Sequence, residues 1–424
     1  MGAAKCIRIL MGSVALACQP ASAHAEVGGW KEFIQGIQDL PSQMLAKLPE
    51  EMQQDPQIRQ EIARLALASL ASSTIGALGS DAQHPVFLPS IGQVLSNGQP
   101  NADTVYRSAI IDPKGVYRLR GQRGSLRMVR VAQVGPRPKP STATANGAPD
   151  LGPQRIDHDL NALEVDAEGR YDVIVSATRP QGYTGDWWEL RPSTNRLMMR
   201  MVGADWAGET DPTISIERLD RPVARPRVSG EELEKRLRAL PDAVRFSALL
   251  FPDHVARLRA EGYVNRIKPL DLSNQGGLAR QFYYEGAYEL NSDEALIIET
   301  QVPKQCGYRS LILTNSIYET TDWYNNHSSL NDTQAQPDPD GILRVVISEK
   351  DPGAPNWLDT AGYSRGAFQG RWTDCDSQPI PTVRKVPMKE VRRWLPDSTR
   401  VITPEQREQI VRERRATLQQ RPLW

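Results

Sequence analysis

The sequence predicts a mainly β fold: two tandem β-sandwich or jelly-roll units, with helices before, between and after them. Three observations predict it. A strand-like stretch occurs twice: EGRYDVIVS at 168–176 lies over DGILRVVIS at 340–348, with Gly169 on Gly341. Each copy continues into a Pro-containing loop and then a polar residue plus tryptophan, Asp186-Trp187 in the first and Asn356-Trp357 in the second. Between these landmarks run short apolar stretches broken by Gly, Pro, Asn and Asp, the texture of antiparallel strands and turns. Finally, 3.6-residue periodicity is confined to three places, all outside the repeated stretches.

The order of elements follows. Residues 26–85 form a helical segment. Trp30, Phe33, Ile34, Ile37 and Leu40 share a face, and Asp55-Pro56 is an N-cap followed by a first-turn proline opening a helix to about Gly76. Residues 86–228 form the first β unit. Strand, turn, strand, turn, strand is expected over 108–131, and a long Pro/Ser/Thr/Gly loop over 135–153. Strands resume at 162–178, 187–191, 195–201 and 213–218. A helical connector spans 229–263: Ser229 with Glu232 is a capping box, and new helical patterns follow Pro241 and Pro252. Residues 264–402 form the second β unit, with strands at 281–290, 294–300, 308–314, 343–349 and 366–373. Thr403-Pro404-Glu405-Gln406 caps a final helix within 403–424, whose mixed Arg and Glu residues read as a solvated face. As a further landmark of the repeat, Gly115-Val116-Tyr117-Arg118-Leu119 lies over Gly286-Ala287-Tyr288-Glu289-Leu290.

Composition bounds the function. Lys+Arg and Asp+Glu are 51 each, so no charge excess points to nucleic acid or to an anionic membrane. Residues 1–25 read as a secretory signal: Lys5 and Arg8, an apolar core, then Ala23-His24-Ala25 with cleavage after Ala25. Cys18 in Ala15-Leu16-Ala17-Cys18 is the alternative, a lipidation site. A periplasmic or secreted protein is expected, with no later segment apolar and long enough to span a bilayer. Without the leader, Cys306 and Cys375 are the remaining cysteines, a disulfide candidate in an oxidising compartment or else two separate thiols.

Several pieces resemble a bacterial family known as domain of unknown function 1214, often found beside a partner domain, number 1254. They are Asn101-Ala102-Asp103-Thr104-Val105-Tyr106-Arg107, Tyr117-Arg118-Leu119-Arg120-Gly121, Ser329-Leu330-Asn331, Asp340-Gly341, Asp351-Pro352-Gly353 and Asn356-Trp357-Leu358-Asp359. The resemblance implies jelly-roll-type β domains. It implies no reaction, cofactor or catalytic residue.

Candidate chemistry sits in three places. YETTDWYNNHSSLN at 318–331 gathers Trp323, Tyr324, Asn326, His327 and Asn331, with His327 as a possible acid/base near neutral pH. Asp103, Tyr106 and Arg107 could orient an anion or a hydroxylated ligand. Glu285, Glu299 and Arg309 are charged residues inside apolar strands, where a carboxylate either faces outward or is held in a pocket. His327, Glu299 and Arg309 are the catalytic candidates, and Trp357 a stacking wall or a core plug. Asp157-His158-Asp159-Leu160-Asn161 imitates a calcium loop but has Ala162 where the glycine belongs. No histidine pair has zinc spacing, so no metal or other cofactor is expected. The expected partner is a small molecule, hydroxylated and saccharide-like on the strength of nine tryptophans beside polar residues. The alternatives are a cofactor-free lyase or hydrolase for a small aromatic or polycyclic substrate, and a non-catalytic envelope protein.

Overall fold

A computed structural model describes residues 26–96, 98–136, 156–271 and 280–422. Residues 1–25, and with them the expected leader, its cleavage and Cys18, lie outside the described residues, as does most of the Pro-rich loop.

The first β unit packs a five-stranded sheet, ordered Leu88–Pro89, Thr104–Ile110, Arg196–Val202, Met128–Val134, Ile156–Asp159, on a four-stranded one. That second sheet runs Asp186–Glu189, Arg170–Ser176, Tyr117–Gln122, Ser215–Arg218. The second unit has a five-stranded sheet ordered Lys268–Asp271, Gln281–Glu289, Arg365–Cys375, Cys306–Thr314, Ser329–Asn331. Its four-stranded partner runs Trp357–Asp359, Ile342–Ser348, Glu294–Gln301, Thr382–Pro387. Taken strand by strand in chain order, the two topologies are the same.

The repeated stretch is equivalent in three dimensions. Gly169 and Gly341 both take positive φ (74° and 79°), the conformation glycine adopts without a Cβ penalty, and each closes a turn onto an aspartate carbonyl. Each following strand pairs in parallel with the short tryptophan strand, Ile174 opposite Trp187 and Val346 opposite Trp357. The indole Nε1 donates to Ser176 Oγ in one unit and Ser348 Oγ in the other, both at 3.0 Å. Trp357 is buried and Trp187 half-buried, and through these serine bonds both indoles tie the loop to its strand. The other sequence landmark does not hold. Tyr117–Gln122 corresponds to Glu294–Gln301, not to Gln281–Glu289, because connections of unequal length separate the strands of the two units.

Strand alternation builds each core. In Arg196–Val202, Leu197, Met199 and Met201 point into the sandwich among Tyr117, Leu119, Val129 and Val131. Tyr284, Leu311, Leu313, Phe368 and Trp372 do the same in the second unit. The alternate residues of both five-stranded sheets are left on the opposite face, and it is this face that matters for function. Cys306 and Cys375 are opposite each other in register and joined as a disulfide.

The helices follow their caps. Asp55 accepts from the backbone of Gln57 (2.8 Å) and Ile58 (3.3 Å), starting Pro56–Gly79, and Thr403 and Gln406 form a reciprocal capping box. Ser229 caps Gly230–Ala248, but Glu232 turns its side chain to Arg236. That helix runs straight through Pro241, where a break is expected; the proline packs on Gly36, whose missing Cβ leaves room for it. Pro56–Gly79 is long and apolar enough to cross a membrane, against expectation. Its alanines raise the mean hydropathy, while Ile58, Ile62 and Leu65 pack with Phe33, Met44, Leu240 and Val244.

The last helix, Pro404–Gln420, is not a solvated rod. Arg407 and Arg414 are buried, as is Arg421 one residue past its end. Their spacing of seven puts them along one face. Arg407 binds Asp351 (2.8 Å) and Arg414 donates to Ser329 Oγ (2.8 Å), both in the second unit. Arg414 also lies over the Trp206 ring, and Arg421 binds Asp211 (2.8 Å) and the Asp103 carbonyl (2.7 Å), all in the first unit. The helix is a strap across both units.

Candidate functional site

The outward faces of the two five-stranded sheets enclose a cavity of about 720 Å³, closed on another side by Pro56–Gly79 and Gly230–Ala248. This is the size of a site for a drug-sized molecule. The first unit contributes Tyr106, Ser108, Met198 and Arg200, and the second Gln281, Tyr283, Tyr308, Gln369 and Arg371. Leu88, Ile91, Leu240, Leu250 and Phe251 supply apolar wall. Four arginines (196, 200, 236 and 371) and His254 line it, and no aspartate or glutamate does among the described residues.

On the second-unit wall the polar groups form a chain. His254 Nε2 lies 2.9 Å from Glu285 Oε2, with both side chains buried. The Gln369 amide donates to Glu285 Oε2 (3.3 Å) and to the Tyr318 hydroxyl (2.8 Å), and its carbonyl accepts from Arg371 Nη2 (2.9 Å). Strand register sets this up: Glu285 is opposite Gln369 and Tyr283 opposite Arg371 on paired strands. Tyr318 sits at φ 64°, rare for an aromatic residue, and its ring lies against His254 at 4.2 Å between centroids. The Asn315 side chain holds that turn by accepting from the backbone of Ile317 (3.1 Å) and Glu319 (3.0 Å).

Arg371 is the electrostatic singularity of the wall. It is buried, and among the described residues it makes no ion pair and its Nε and Nη1 have no acceptor. Burial pulls its pKa down, but nearby Tyr283, Tyr308, Tyr106 and Tyr318 outweigh that and leave it above the usual arginine value. Burial pushes Tyr308 and Tyr318 well above the usual tyrosine value. At neutral pH those two hydroxyls therefore keep their protons and offer dipoles, not countercharge.

The Asp103 motif forms the joint beside the cavity. Its buried carboxylate accepts from Trp206 Nε1 (2.8 Å), Asn331 Nδ2 (2.7 Å) and the Tyr308 hydroxyl. Asn101 donates to that same hydroxyl (2.7 Å). Burial raises the Asp103 pKa, against the hydrogen bonds that lower it. Asp103 and Asn331 thus tie the units together and do not line the cavity, whereas Tyr106 of the same motif does. Arg107 points the other way from Tyr106, its partner across the sheet being Met199 of the core.

The other sequence candidates lie elsewhere. His327 is buried with Nδ1 on the Trp357 carbonyl, its pKa held well below usual by burial and by Arg414 and Arg407. Glu299 binds Arg344 (2.8 Å) on the outer face of the four-stranded sheet, the Ile297 face that alternation predicts. Arg309 donates to the Ala335 carbonyl (2.8 Å). None of the three lines the cavity, and each is engaged by different partners. Trp323 is buried beside Trp206 and Tyr324, and Asn326 donates to the Asp322 carbonyl (3.0 Å). The calcium-like stretch is an edge strand plus a 3-10 turn, with His158 stacked on Trp188. No cluster of metal-ligating side chains exists among the described residues. A wider groove over the first unit's four-stranded sheet is shallow, and its Arg118 is already bound to Asp172 (2.8 Å).

No family model matches the chain, and no curated protein does. Among solved structures, it is similar to an uncharacterized protein from Burkholderia cenocepacia, at 26% identity and a TM-score of 0.75, over 85% of this chain and 97% of that one. A protein from Vibrio parahaemolyticus follows at 12% identity and a TM-score of 0.43, over 77% of this chain and 99% of that one. The mainly β architecture, two paired-sheet units with helices at the N-terminus, middle and C-terminus, is therefore one this chain has in common with the Burkholderia protein.

Proposed function

We propose that this chain is an exported small-molecule binding protein that holds an amphipathic ligand between its two β units. The observation that carries the reading is the cavity itself: bounded by both units and two helices, with apolar wall from Leu88, Leu240, Leu250 and Phe251 and polar or cationic groups such as Tyr106, Gln369, Arg236 and Arg371. The saccharide version of the reading has less support, because Trp187, Trp323 and Trp357 are committed to hydrogen bonds or core contacts away from the cavity. Domain of unknown function 1214 stays a resemblance in this reading, and a periplasmic or secreted location rests on the leader alone.

A second reading has an observation of its own. His254 and Glu285 form a buried imidazole–carboxylate pair on the cavity wall, with Nδ1 of the imidazole unpartnered. A pair of this kind can accept a proton from a bound molecule. In a cofactor-free enzyme His254 would then take the role assigned from sequence to His327.

The test is a thermal-shift screen of the full chain against neutral and charged aromatic and aliphatic compounds, repeated on Gly76→Leu. Gly76 lines the cavity on a helix, and a Cβ there meets nothing within 4 Å, so a side chain can be added at this position to take up cavity space. Ligands that stabilise the wild type should lose their effect in this variant. Stabilisation surviving in Gly76→Leu would move the site elsewhere.

A further inference from the structure

We infer that the ligand is an anion, an organic carboxylate with an apolar body, and that Arg371 is its anchor. The inference rests on the cavity being the ligand site. It starts from charge accounting on the buried arginines. Arg218 binds Asp112 (3.2 Å) and Asp220 (3.0 Å), Arg407 binds Asp351, and Arg421 binds Asp211. Arg123, Arg414 and Arg371 are buried like them with no carboxylate partner among the described residues. Arg123 is held by Asn161 and Arg414 by Ser329 and Gln334, and of these six buried arginines Arg371 is the one that lines the cavity. A buried cation without a countercharge is costly, and one that borders a cavity is compensated when an anion binds there.

The nearest carboxylate in the chain of contacts cannot serve. Glu285 is engaged by His254 and by the Gln369 amide, and Gln369 stands between it and Arg371, turning its carbonyl to the guanidinium. Gln369 is an insulator: it satisfies one N–H of Arg371 without neutralising it. The Tyr308 hydroxyl is likewise given to Asp103, and that of Tyr318 accepts from Gln369. Two further cavity arginines already have acidic neighbours, Arg236 with Glu232 (2.8 Å) and Arg200 with Asp157 (3.8 Å). Arg371 is thus the buried arginine of the cavity, with no carboxylate partner among the described residues, and it sets the sign of the ligand's charge. Arginine's planar donors suit a carboxylate, and the Tyr283 ring against the guanidinium (5.5 Å) fixes its plane. Leu240, Leu250 and Phe251 offer the apolar surroundings for the rest of the molecule.

The experiment is calorimetric titration of the full chain with two matched pairs, 2-naphthoate and its methyl ester, and dodecanoate and its methyl ester. At least one acid should bind ten-fold or more tightly than its ester. Arg371→Gln should erase that difference while the ester still binds, and Arg236→Gln should preserve it. Arg371→Lys, which keeps the charge, should retain a smaller preference for the acid and serves if the glutamine variant does not fold. Esters binding as tightly as acids, or a preference that survives Arg371→Gln or vanishes in Arg371→Lys, would overturn the role of Arg371 and leave the cavity as a site for neutral ligands. If neither acids nor esters bind, the cavity reading falls as well.

Discussion

Replacing Asp103 by alanine tests whether the two units are held by the joint beside the cavity. The side chain is 1% exposed, and its carboxylate collects three donors: the Trp206 indole, the Asn331 amide and the Tyr308 hydroxyl. Removing it strands all three in a buried setting. Each stranded donor costs roughly 1–3 kcal/mol, so the gross loss is about 3–9 kcal/mol. Against this stands the relief of no longer burying a charge, which the raised Asp103 pKa signals and which is worth several kcal/mol at most. The net expectation is a loss of about 3 kcal/mol at neutral pH. Urea unfolding followed by tryptophan fluorescence and by far-UV circular dichroism would measure it, with coincident transitions checking that both units unfold together. Tyr308→Phe should cost less alone and should add little on top of Asp103→Ala, since both remove the same bond. A loss below about 1 kcal/mol for Asp103→Ala, or full additivity with Tyr308→Phe, would refute the idea that this cluster joins the units.

Three other outcomes are expected. His158 is held at a pKa of about 4 by burial. The unfolded chain takes up its proton first, so stability falls as the pH drops from 6.5 toward 4, by roughly 1.4 kcal/mol per unit and about 3 kcal/mol in all. His158→Leu should flatten that part of a pH–stability profile, and an unchanged slope would exclude the assignment. Reducing the Cys306–Cys375 bridge, which spans 69 residues, should lower stability by about 4 kcal/mol in the chain-entropy view, read as a melting-temperature difference with and without reductant. Gly76→Leu should raise stability by about 1 kcal/mol through helix propensity while it blocks the cavity; a loss of stability would mean that the space beside Gly76 is not empty.

The scaffold was legible in the sequence where local chemistry decides it. The strand at 168–176 and its copy at 340–348 share a glycine turn and a β-branched run, and the caps at Asp55 and Thr403 need only their own neighbours. The functional face was not. Period-two alternation in 196–202 marks Arg196, Met198 and Arg200 as facing away from the core, but nothing local says that a second sheet meets them there. His254 and His327 are equivalent in sequence, each a lone histidine near aromatic residues. What separates them is the partner, a carboxylate 31 residues away for one and a backbone carbonyl for the other. Arg407, Arg414 and Arg421 stand in plain periodic view, yet a heptad of arginines among glutamates looks the same whether water or protein covers it. Tyr106 and Asp103 were singled out together, and only the fold shows that one faces the cavity and the other the joint.

The strap has a consequence for the order in which the chain comes together. Asp103 belongs to the first unit, but the groups that surround it come from three places: Trp206 nearby, Asn331 and Tyr308 in the second unit, and Arg421 on the carbonyl of the same residue. A first unit folded alone can offer that carboxylate the Trp206 indole but neither Asn331 nor Tyr308. The second unit brings the other two donors to the carboxylate, and the strap closes on the carbonyl of the same residue. The burial of one carboxylate thus reports that both units and the strap are in place, and only then does the cavity have both of its sheet walls.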